Sequence, residues 1–254
     1  MTTVSNSFTL KAIVTGHTRG LGAALAEVLL ARGFAVLGVA RARHPSLAAR
    51  FPGAVDEVEL DLADSRRVEE WLAGGSIEQF LHGAQSALLV NNAGTVQPIG
   101  PCSGQQPSDV SRAVMLNVAT PLMFASIFAA ASANVPDRRI AHISSGASRN
   151  AYAGWSVYCA TKAALDHHAR CVELDAEPAL RIASIAPGVI DTDMQHEIRS
   201  ADEASFPSRE KFVELKRGGN LTSPDEAAAK LAGYLLSEGY GGTPCVDLRS
   251  LPPQ

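Results

Sequence analysis

Short apolar runs alternate along the chain with longer segments whose apolar positions repeat at helical spacing. Uninterrupted runs of β-branched and other apolar residues are typical of parallel strands that are buried on both faces. Such runs occur at 10–16, 35–40, 87–94, 139–145 and 180–188, with a short one at 244–248, and 54–62 reads as a further strand that alternates and is half-exposed. The pattern therefore predicts a parallel sheet of about seven strands at the centre of the protein.

The segments between these runs predict helices. Leu21, Leu25 and Leu29 fall on one face of a helix that Gly33 would end. Helices are expected at 20–33, 65–73, 108–134, 157–176 and 224–237. This alternation indicates an α/β fold of the Rossmann type, with a doubly wound parallel sheet, helices on both faces and right-handed crossovers. Because no Pro/Gly-rich linker divides the sequence, residues 1–254 are expected to form a single domain.

Two stretches need separate interpretation. The least regular one is 193–222, and a long polar insertion after a sheet strand often forms a lid or a substrate loop. We expect 193–222 to be the substrate loop. The uncharged run 113–135 is long enough to span a bilayer. Its Asn, Thr, Pro and Ser residues would be costly in lipid, so a buried helix of a soluble protein is favoured.

Composition and charge narrow the classes of function. The chain has 254 residues, of which 46% are hydrophobic and 19% charged, which suits a folded core. Its net charge of −4 and the lack of a basic stripe disfavour a nucleic-acid partner. The four cysteines have neither CxxC pairing nor metal-ligand spacing. With an N-terminus unlike a signal peptide, these features predict a cytoplasmic protein without a metal, a nucleic-acid partner or a membrane partner.

The first motif that carries chemistry is TGHTRGLG at 15–22, between the first strand and the first helix. Gly16, Gly20 and Gly22 have no Cβ, so a ligand can approach the backbone closely there. The helix N-terminus offers free N–H groups and the positive end of its dipole to a pyrophosphate. A tight turn alone would also need glycine. The strand before it and the helix after it favour a dinucleotide-binding site.

The end of the second predicted strand indicates which dinucleotide binds. Folds that bind NAD usually place an acidic residue there, which holds the ribose 2′-hydroxyl. The sequence instead has Ala40, followed by Arg41 and Arg43, and Arg19 lies in the glycine turn. Guanidinium groups bind a 2′-phosphate through charge-assisted hydrogen bonds, so NADP(H) is the predicted cofactor. Solvated surface arginines are the alternative. Asp61 could accept a hydrogen bond from the adenine amino group.

Tyr158 and Lys162 lie one helical turn apart and share a face of the predicted helix. Tyrosine has an ordinary pKa of about 10, and a nearby cation favours tyrosinate and lowers that pKa. Ser145, at the end of the fifth strand, supplies a hydroxyl that can bind a carbonyl or a carbinol. A Tyr-x-x-x-Lys pair alone means little, because it occurs by chance on exposed helices. Its meaning depends on the other motifs.

Six motifs in order resemble those of the short-chain dehydrogenase/reductase family. They are TGHTRGLG, NNAG (91–94), LN (116–117), SS (144–145), YCATK (158–162) and PGVIDTDM (187–194). The resemblance extends from Leu10 to about Val246. GWSVYCATKAALD and VDLR look most like the branch that holds sepiapterin reductase and bacterial benzil reductase, which reduce carbonyls, often one of a vicinal pair. The C-terminal CVDLRSLPPQ departs from the family's VDGG-like turn, and His17 is unusual in the glycine turn.

The resemblance implies a role for each matching residue. Tyr158 would be the general acid/base, while Lys162 would lower its pKa and bind the nicotinamide ribose. Ser145 would orient the substrate, and Asn117 would hold a water in a proton relay. The residues expected to contact the cofactor are Gly16, Thr18, Arg19, Gly20, Leu21, Gly22, Arg41, Asp61, Leu62, Asn91, Ala93, Gly94, Tyr158, Lys162, Pro187, Gly188, Ile190 and Thr192.

Residues next to these motifs are interpreted as structural. Cys159 is expected to be a small packing residue, because no histidine is placed to activate it. His167 and His168 are expected on an exposed helix face. Trp155 fits a substrate-pocket wall and core packing equally well.

Together these inferences predict an NADP(H)-dependent oxidoreductase that transfers a hydride between nicotinamide and a small carbonyl or alcohol substrate. A non-catalytic NADP(H)-binding sensor or scaffold is the alternative, although it would not need the four catalytic residues. An epimerase or dehydratase is less favoured, because the chain leaves little room for a larger substrate domain. The small apolar residues of the helices at 113–135 and 157–176 lead us to expect a homodimer or homotetramer, as in the family.

Overall fold

Seven strands form one fully parallel sheet. The computed structural model describes residues 8–251. Residues 1–7, where no signal peptide was expected, and residues 252–254 of the predicted domain lie outside the described part. The strand order is β3-β2-β1-β4-β5-β6-β7, and each neighbouring pair is parallel. The strands are β1 (Leu10–Thr15), β2 (Ala35–Ala40), β3 (Val55–Glu59), β4 (Ser86–Asn91), β5 (Asp137–Ile143), β6 (Leu180–Ala186) and β7 (Cys245–Asp247).

Helices connect the strands and cover both faces of the sheet. They are α1 (Gly20–Ala31), α2 (Leu47–Arg50), α3 (Ser65–Ala73), α4 (Ser76–Leu81), α5 (Pro107–Val114), α6 (Thr120–Ala131), α7 (Ser156–Asp175), α8 (Asp193–Arg199), α9 (Arg209–Arg217) and α10 (Pro224–Leu236). The arrangement confirms the predicted α/β fold with a doubly wound parallel sheet.

Two predicted elements are corrected by the structure. The helix expected at 108–134 is interrupted between α5 and α6 by a π-helical turn, Met115–Ala119, which contains Asn117. Such turns add one residue to a helical turn and change the direction of the side chains around it. The segment 193–222, expected to be irregular, contains the helices α8 and α9. Both are short and polar, so their apolar periodicity is weak.

Each face of the sheet has its own apolar core. On one face α1 packs against α10, and Leu25, Leu29 and Leu231 are fully buried between these helices and the strands. On the other face α3, α4 and α6 cover the sheet, where Phe124 and Phe128 are fully buried. Burial on both faces explains why strands such as β2 and β4 are apolar without alternation, whereas the half-buried β3 alternates.

The uncharged run 113–135 belongs largely to the helical stretch Pro107–Ala131. By length and composition alone, this stretch is apolar enough to cross a membrane. Phe124, Ala125 and Phe128 of the same stretch pack into the core against the sheet. A core helix needs such a buried apolar face, as the interpretation of the sequence requires.

The strand order reverses between β1 and β4. From β1 the chain continues through β2 and β3 on one side, and from β4 it continues through β5, β6 and β7 on the other. Connections that leave in opposite directions open a crevice at the carboxyl ends of the two strands. Open α/β sheets bind their ligands in this crevice. The candidate site is therefore expected above β1, β4, β5 and β6.

Truncating a buried leucine on α10 tests the helix pair that covers the first face. Leu231→Ala should lower the free energy of unfolding by about 2–5 kcal/mol, because it removes a fully buried side chain and leaves a cavity. Leu174→Ala is the matched control, because Leu174 is 80% exposed on α7 and its loss should cost less than about 0.5 kcal/mol. Chemical denaturation measures both. Equal losses would contradict this packing.

Candidate active site

The turn between β1 and α1 brings bare backbone to the crevice. Gly16 and Gly20 have φ angles of +71° and +55°, in the left-handed region that favours glycine. A Cβ on Gly22 would lie 2.2 Å from the carbonyl oxygen of Gly16. No side chain caps the N-terminus of α1, where Arg19 is the capping residue. The first N–H groups of the helix are therefore available to an anion.

Asn92 fastens this turn to β4. Its Nδ2 donates to the carbonyl oxygens of Thr15, at 3.0 Å, and Gly16, at 3.2 Å. The Thr15 hydroxyl oxygen accepts from the backbone N–H groups of Asn92, at 3.0 Å, and Ala93, at 3.1 Å. A Cβ on Gly16 would lie only 3.0 Å from the Cα of Ala93. Asn92 was not among the predicted residues, although it is the second asparagine of the NNAG motif.

Asn91 points the other way, into a buried histidine network. Its Nδ2 donates to the Pro121 carbonyl oxygen and to Nδ1 of His142, both at 3.1 Å. Burial lowers the pKa of His142 to about 3, so its ring is neutral and Nε2–H donates to Nδ1 of His168, 3.0 Å away. The prediction that His168 lies on an exposed helix face is wrong, because the ring packs against His142. His167 is exposed, as predicted.

The catalytic candidates converge at the carboxyl ends of β4 and β5. Tyr158 is 6% exposed, Lys162 5% and Asn117 1%. A Cβ on Gly94 would lie 3.2 Å from Oδ1 of Asn117 and 3.6 Å from Nζ of Lys162, so these two groups flank Gly94. The side chain of Ser145 lies close enough to Tyr158 to oppose the rise in the pKa of its phenol. The structure thus brings together all four residues that the sequence singled out.

The contacts of Asn117 follow from the π-helical turn. Its Nδ2 donates to the Thr95 carbonyl oxygen at 2.8 Å and to Oγ1 of Thr161 at 3.2 Å. Its Oδ1 accepts from the Thr95 N–H at 2.9 Å. The carboxamide therefore links the segment after β4 to α7. Its predicted role in holding a water stays a prediction.

A family model for short chain dehydrogenases matches residues 10–203. The chain belongs to the short-chain dehydrogenase/reductase family. It is 33% identical to benzil reductase ((S)-benzoin forming) of Bacillus cereus over 90% of this chain and 94% of that one. It is 29% identical to sepiapterin reductase of Bos taurus, covering 92% of each chain. Both relatives belong to the branch that the motifs indicate.

Solved structures agree with this assignment. A short-chain dehydrogenase/reductase from Burkholderia vietnamiensis is 52% identical, with 97% of this chain and 100% of that chain covered and a TM-score of 0.71. The KRED1-Pglu enzyme is 28% identical, with 92% and 99% covered and a TM-score of 0.81. The chain therefore shares both the family's sequence motifs and its fold.

Members of this family use a nicotinamide cofactor, and the glycine turn of this short-chain dehydrogenase fits one. Side chains are excluded where the turn meets β4, and the N-terminus of α1 has no side-chain cap. A pyrophosphate can therefore reach the N–H groups of α1 directly. Thr18 is half-buried in the turn, and the methyl group of Thr192 would lie 3.1 Å from a Cβ on Gly20.

The other predicted cofactor contacts divide into buried and exposed groups. The side chains of Leu21, Leu62 and Ile190 are buried in the core, so only their backbone can face a cofactor. Pro187 and Gly188 follow β6, and a Cβ on Gly188 would lie 3.5 Å from Cδ of Arg249. The C-terminal segment that departs from the family pattern thus places an arginine over the strand end.

The predicted phosphate-binding arginines are exposed around the end of β2 and the start of α1. Nη1 of Arg19 lies 3.2 Å from a carboxylate oxygen of Asp193, with both side chains more than half exposed. Arg41 is exposed directly after β2. Asp61 accepts from Nη2 of Arg112 at 2.9 Å and from the backbone N–H of Ala63 at 3.0 Å. Asp61 therefore already has two donors before any adenine is bound.

Burial determines the charge states of Tyr158 and Lys162. It raises the pKa of Tyr158 to about 12, against the opposing effect of Ser145. Burial also lowers the pKa of Lys162 to about 8, opposed by the charge of Asp166, and Nζ of Lys162 donates to the Ile143 carbonyl oxygen at 2.7 Å. Burial thus outweighs any lowering effect on the pKa of Tyr158, and the predicted role of Lys162 in lowering it stays a prediction. Tyr158 is held as a phenol.

Asp166 holds α7 against the ends of two strands. Its Oδ1 accepts from the hydroxyl groups of Ser144 and Ser184, each at 2.7 Å. Asp166 is 4% exposed and lies one turn beyond Lys162 on the same helix. This residue was not predicted, although its i, i+4 spacing from Lys162 placed it on the same face.

A cluster of aromatic side chains covers Tyr158. The Trp155 ring centroid lies 5.1 Å from that of Tyr158 and 4.4 Å from that of Phe206, and Phe206 lies 5.8 Å from Phe212. Phe206 and Phe212 belong to the segment 193–222, and each of the four rings is less than a tenth exposed. Trp155 is thus both a core residue and a neighbour of Tyr158. Cys159 is half-buried, with Sγ 3.6 Å from the Asn150 carbonyl oxygen, which agrees with its predicted packing role.

A cavity of about 480 Å³ lies beside this aromatic cluster. The cavity lies between the segment after β4 and α8. Its lining includes Gln97, Ile99, Glu197, Ala201 and Ser205. The segment 193–222 therefore supplies two rings that pack on Trp155 and one wall of a neighbouring cavity.

Adding a methyl group to the glycine turn tests its fit to the cofactor. Gly22→Ala should abolish the rise in melting temperature that NADPH produces, because the new Cβ would lie 2.2 Å from backbone that cannot move freely. Overpacking of this kind also costs about 1–3 kcal/mol of stability. Gly239→Ala is the control, since its Cβ would meet nothing within 4 Å. A normal NADPH-induced rise in Gly22→Ala would show that nucleotide binds elsewhere.

Proposed function

We propose that this short-chain dehydrogenase reduces an apolar ketone or vicinal dicarbonyl with NADPH, and that Tyr158 is the general acid. The observation that carries the proposal is the position of Tyr158. It is buried at the carboxyl edge of the sheet, next to Ser145 and one turn from Lys162. A protein that only sensed or displayed NADP(H) would not need this arrangement.

The residues of the chain account for proton transfer and charge stabilisation. NADPH would supply the hydride when bound. The hydroxyl groups of Ser145 and Tyr158 would both hydrogen-bond the carbonyl oxygen, on which negative charge grows during reduction. Tyr158 would donate its proton to that oxygen, and its raised pKa keeps it in the protonated form that reduction requires. The ammonium group of Lys162 would bind the ribose hydroxyls and Asn117 would hold the relay water.

The preference for NADP(H) is proposed from charge. Arg19, Arg41 and Arg43 are exposed at the start of α1 and just after β2, and Ala40 occupies the place of the carboxylate that would select NAD. Three guanidinium groups near one edge favour a 2′-phosphate over a 2′-hydroxyl.

The aromatic cluster supports an apolar, aromatic substrate. Trp155 packs beside Tyr158 and is backed by Phe206, so the side of the site next to the tyrosine is apolar. Two bacterial relatives are named benzil reductase, and benzil is an aromatic vicinal dicarbonyl. We assign the segment 193–222 as the part of the chain that selects the substrate.

Steady-state kinetics with a substrate panel test the proposal. Benzil and 1-phenyl-1,2-propanedione should be reduced with a higher kcat/KM than acetophenone, and NADPH should be preferred to NADH at least tenfold, or by about 1.4 kcal/mol. Binding of NADPH without turnover of any carbonyl would instead support a sensor or scaffold.

Removing one hydroxyl group tests the proposed acid. Tyr158→Phe should lower kcat by about 10²–10⁴-fold, which is the usual contribution of general acid–base catalysis. The ring remains in place against Trp155, so the dissociation constant for NADPH should change less than about threefold. A Tyr158→Phe variant with near-normal turnover would exclude Tyr158 as the acid.

The charge states predict an alkaline limb in the pH profile. Lys162, with a pKa of about 8, keeps its ammonium charge below that pH and loses it as the pH rises. Tyr158, with a pKa of about 12, stays protonated throughout. The kcat/KM for carbonyl reduction should therefore fall above pH 8, by about tenfold per pH unit, and show no limb from tyrosine below pH 10. A flat profile from pH 6 to 10 would mean that Lys162 carries no required charge.

We also retain two proposals from the sequence. A homodimer or homotetramer would cover Val114, which is 42% exposed on α5. Light scattering of the purified chain measures this, and a monomer would contradict it. The cytoplasmic location stays a prediction of the sequence.

A further inference from the structure

His17, the unusual residue of the glycine turn, is fully buried. Its side chain packs against β2 at Gly38. A Cβ on Gly38 would lie 2.5 Å from the imidazole ring, so the strand accommodates the ring because it has glycine there. The ring therefore lies beneath the turn and reaches toward β3.

On β3 the imidazole meets a carboxylate. Nε2 of His17 lies 2.8 Å from Oε1 of Glu57, and the two side chains are 0% and 5% exposed. A carboxylate has no proton to offer, so Nε2–H of His17 is the donor. Oε1 of Glu57 also accepts from the backbone N–H of His44 at 2.6 Å. One carboxylate oxygen therefore joins the glycine turn to the segment that follows β2.

His44 organises that segment, the loop 41–46 between β2 and α2. Its own Nδ1 accepts from the backbone N–H groups of Ser46, at 3.2 Å, and Leu47, at 3.1 Å, where α2 begins. Leu47 is fully buried and holds the far end of the loop. Arg41 and Arg43 are exposed within it. Fixing the backbone of His44 therefore fixes the part of the loop that carries both arginines.

A role in stability alone does not explain the polar pair. Nδ1 of His17 is buried without a hydrogen-bond partner in residues 8–251, which costs free energy. An apolar pair of similar volume would avoid that cost and the desolvation of a carboxylate. What an apolar pair could not provide is an acceptor for the N–H of His44.

We propose that His17 and Glu57 are positioning residues for recognition of the cofactor's 2′-phosphate. Through His44 they hold the loop 41–46, with Arg41 and Arg43, at a fixed distance from the turn that carries Arg19. Neither side chain touches the phosphate. The inference rests on the proposed function, since it requires that the protein discriminates NADP(H) from NAD(H).

Nucleotide fragments test this link without any turnover. Adenosine 2′,5′-bisphosphate and AMP differ only in the 2′-phosphate, and calorimetric titration of the full chain gives both dissociation constants. Glu57→Ala should weaken binding of the bisphosphate at least tenfold and of AMP less than twofold. Glu57→Gln should stay within about threefold of the wild type for both nucleotides, because its amide oxygen can accept the same two hydrogen bonds.

Asp137→Asn is the matched control for general destabilisation. Asp137 is a partly buried carboxylate at the amino end of β5, so it lies away from the carboxyl ends of the strands. It accepts hydrogen bonds from Ser86, Arg139 and Arg181. Its replacement should leave the ratio of the two dissociation constants unchanged. Gly38→Ala provides a second test that leaves Glu57 intact, because the new methyl group displaces the His17 ring. Gly38→Ala should also weaken binding of the bisphosphate selectively, and it keeps the inference testable if Glu57→Ala does not fold.

The outcomes separate the inference from the function on which it rests. A wild-type protein that binds the bisphosphate and AMP equally would overturn the proposed NADP(H) preference, and this inference with it. A selective wild type in which Glu57→Ala and Gly38→Ala weaken both nucleotides equally, or neither, would overturn this inference alone. Faster hydrogen exchange confined to amides 41–47 in Glu57→Ala would support it, and unchanged exchange would contradict it.

Discussion

The close approach of the glycine turn to β4 is the constraint on which the site depends. Between Gly16, Gly22 and Ala93 there is room only for backbone, and Asn92 closes the gap with hydrogen bonds to Thr15 and Gly16. Were a side chain present, β1 and α1 would separate from β4 and the N-terminus of α1 would turn away from the crevice. Parallel pairing of β1 with β4 then fixes where the carboxyl ends of the other strands lie relative to the turn.

A second set of buried polar contacts holds α7, the helix that carries Tyr158 and Lys162, in place. Asp166 joins α7 to the ends of β5 and β6 through two serine hydroxyls, and the Lys162 ammonium donates to the last residue of β5. The helix is thereby held so that Tyr158 meets Ser145. The same enclosure removes water from the pair, which explains why one pKa rises and the other falls. The packing of α7 therefore determines both the positions of Tyr158 and Lys162 and their protonation states.

Much of this could be predicted from the sequence, because the signals are local. Continuous apolar runs indicated the buried strands, and the glycines and the Tyr158–Lys162 spacing indicated the site. The rest depends on packing partners distant in sequence. The face of α7 that meets His142 decides the environment of His168, and the depth of burial decides the pKa of Lys162. Likewise, apolar periodicity does not reveal the extra residue of the π-helical turn at Asn117.

We propose above that this short-chain dehydrogenase delivers a hydride to a carbonyl carbon held beside Tyr158. The most direct measurement uses NADPH deuterated at C4 of the nicotinamide with 1-phenyl-1,2-propanedione, and mass spectrometry of the product. We expect one deuterium on the carbinol carbon of each product molecule formed from fully and stereospecifically labelled cofactor. A reduced product without deuterium from either C4 epimer, or no reduced product from any carbonyl tested, would contradict it.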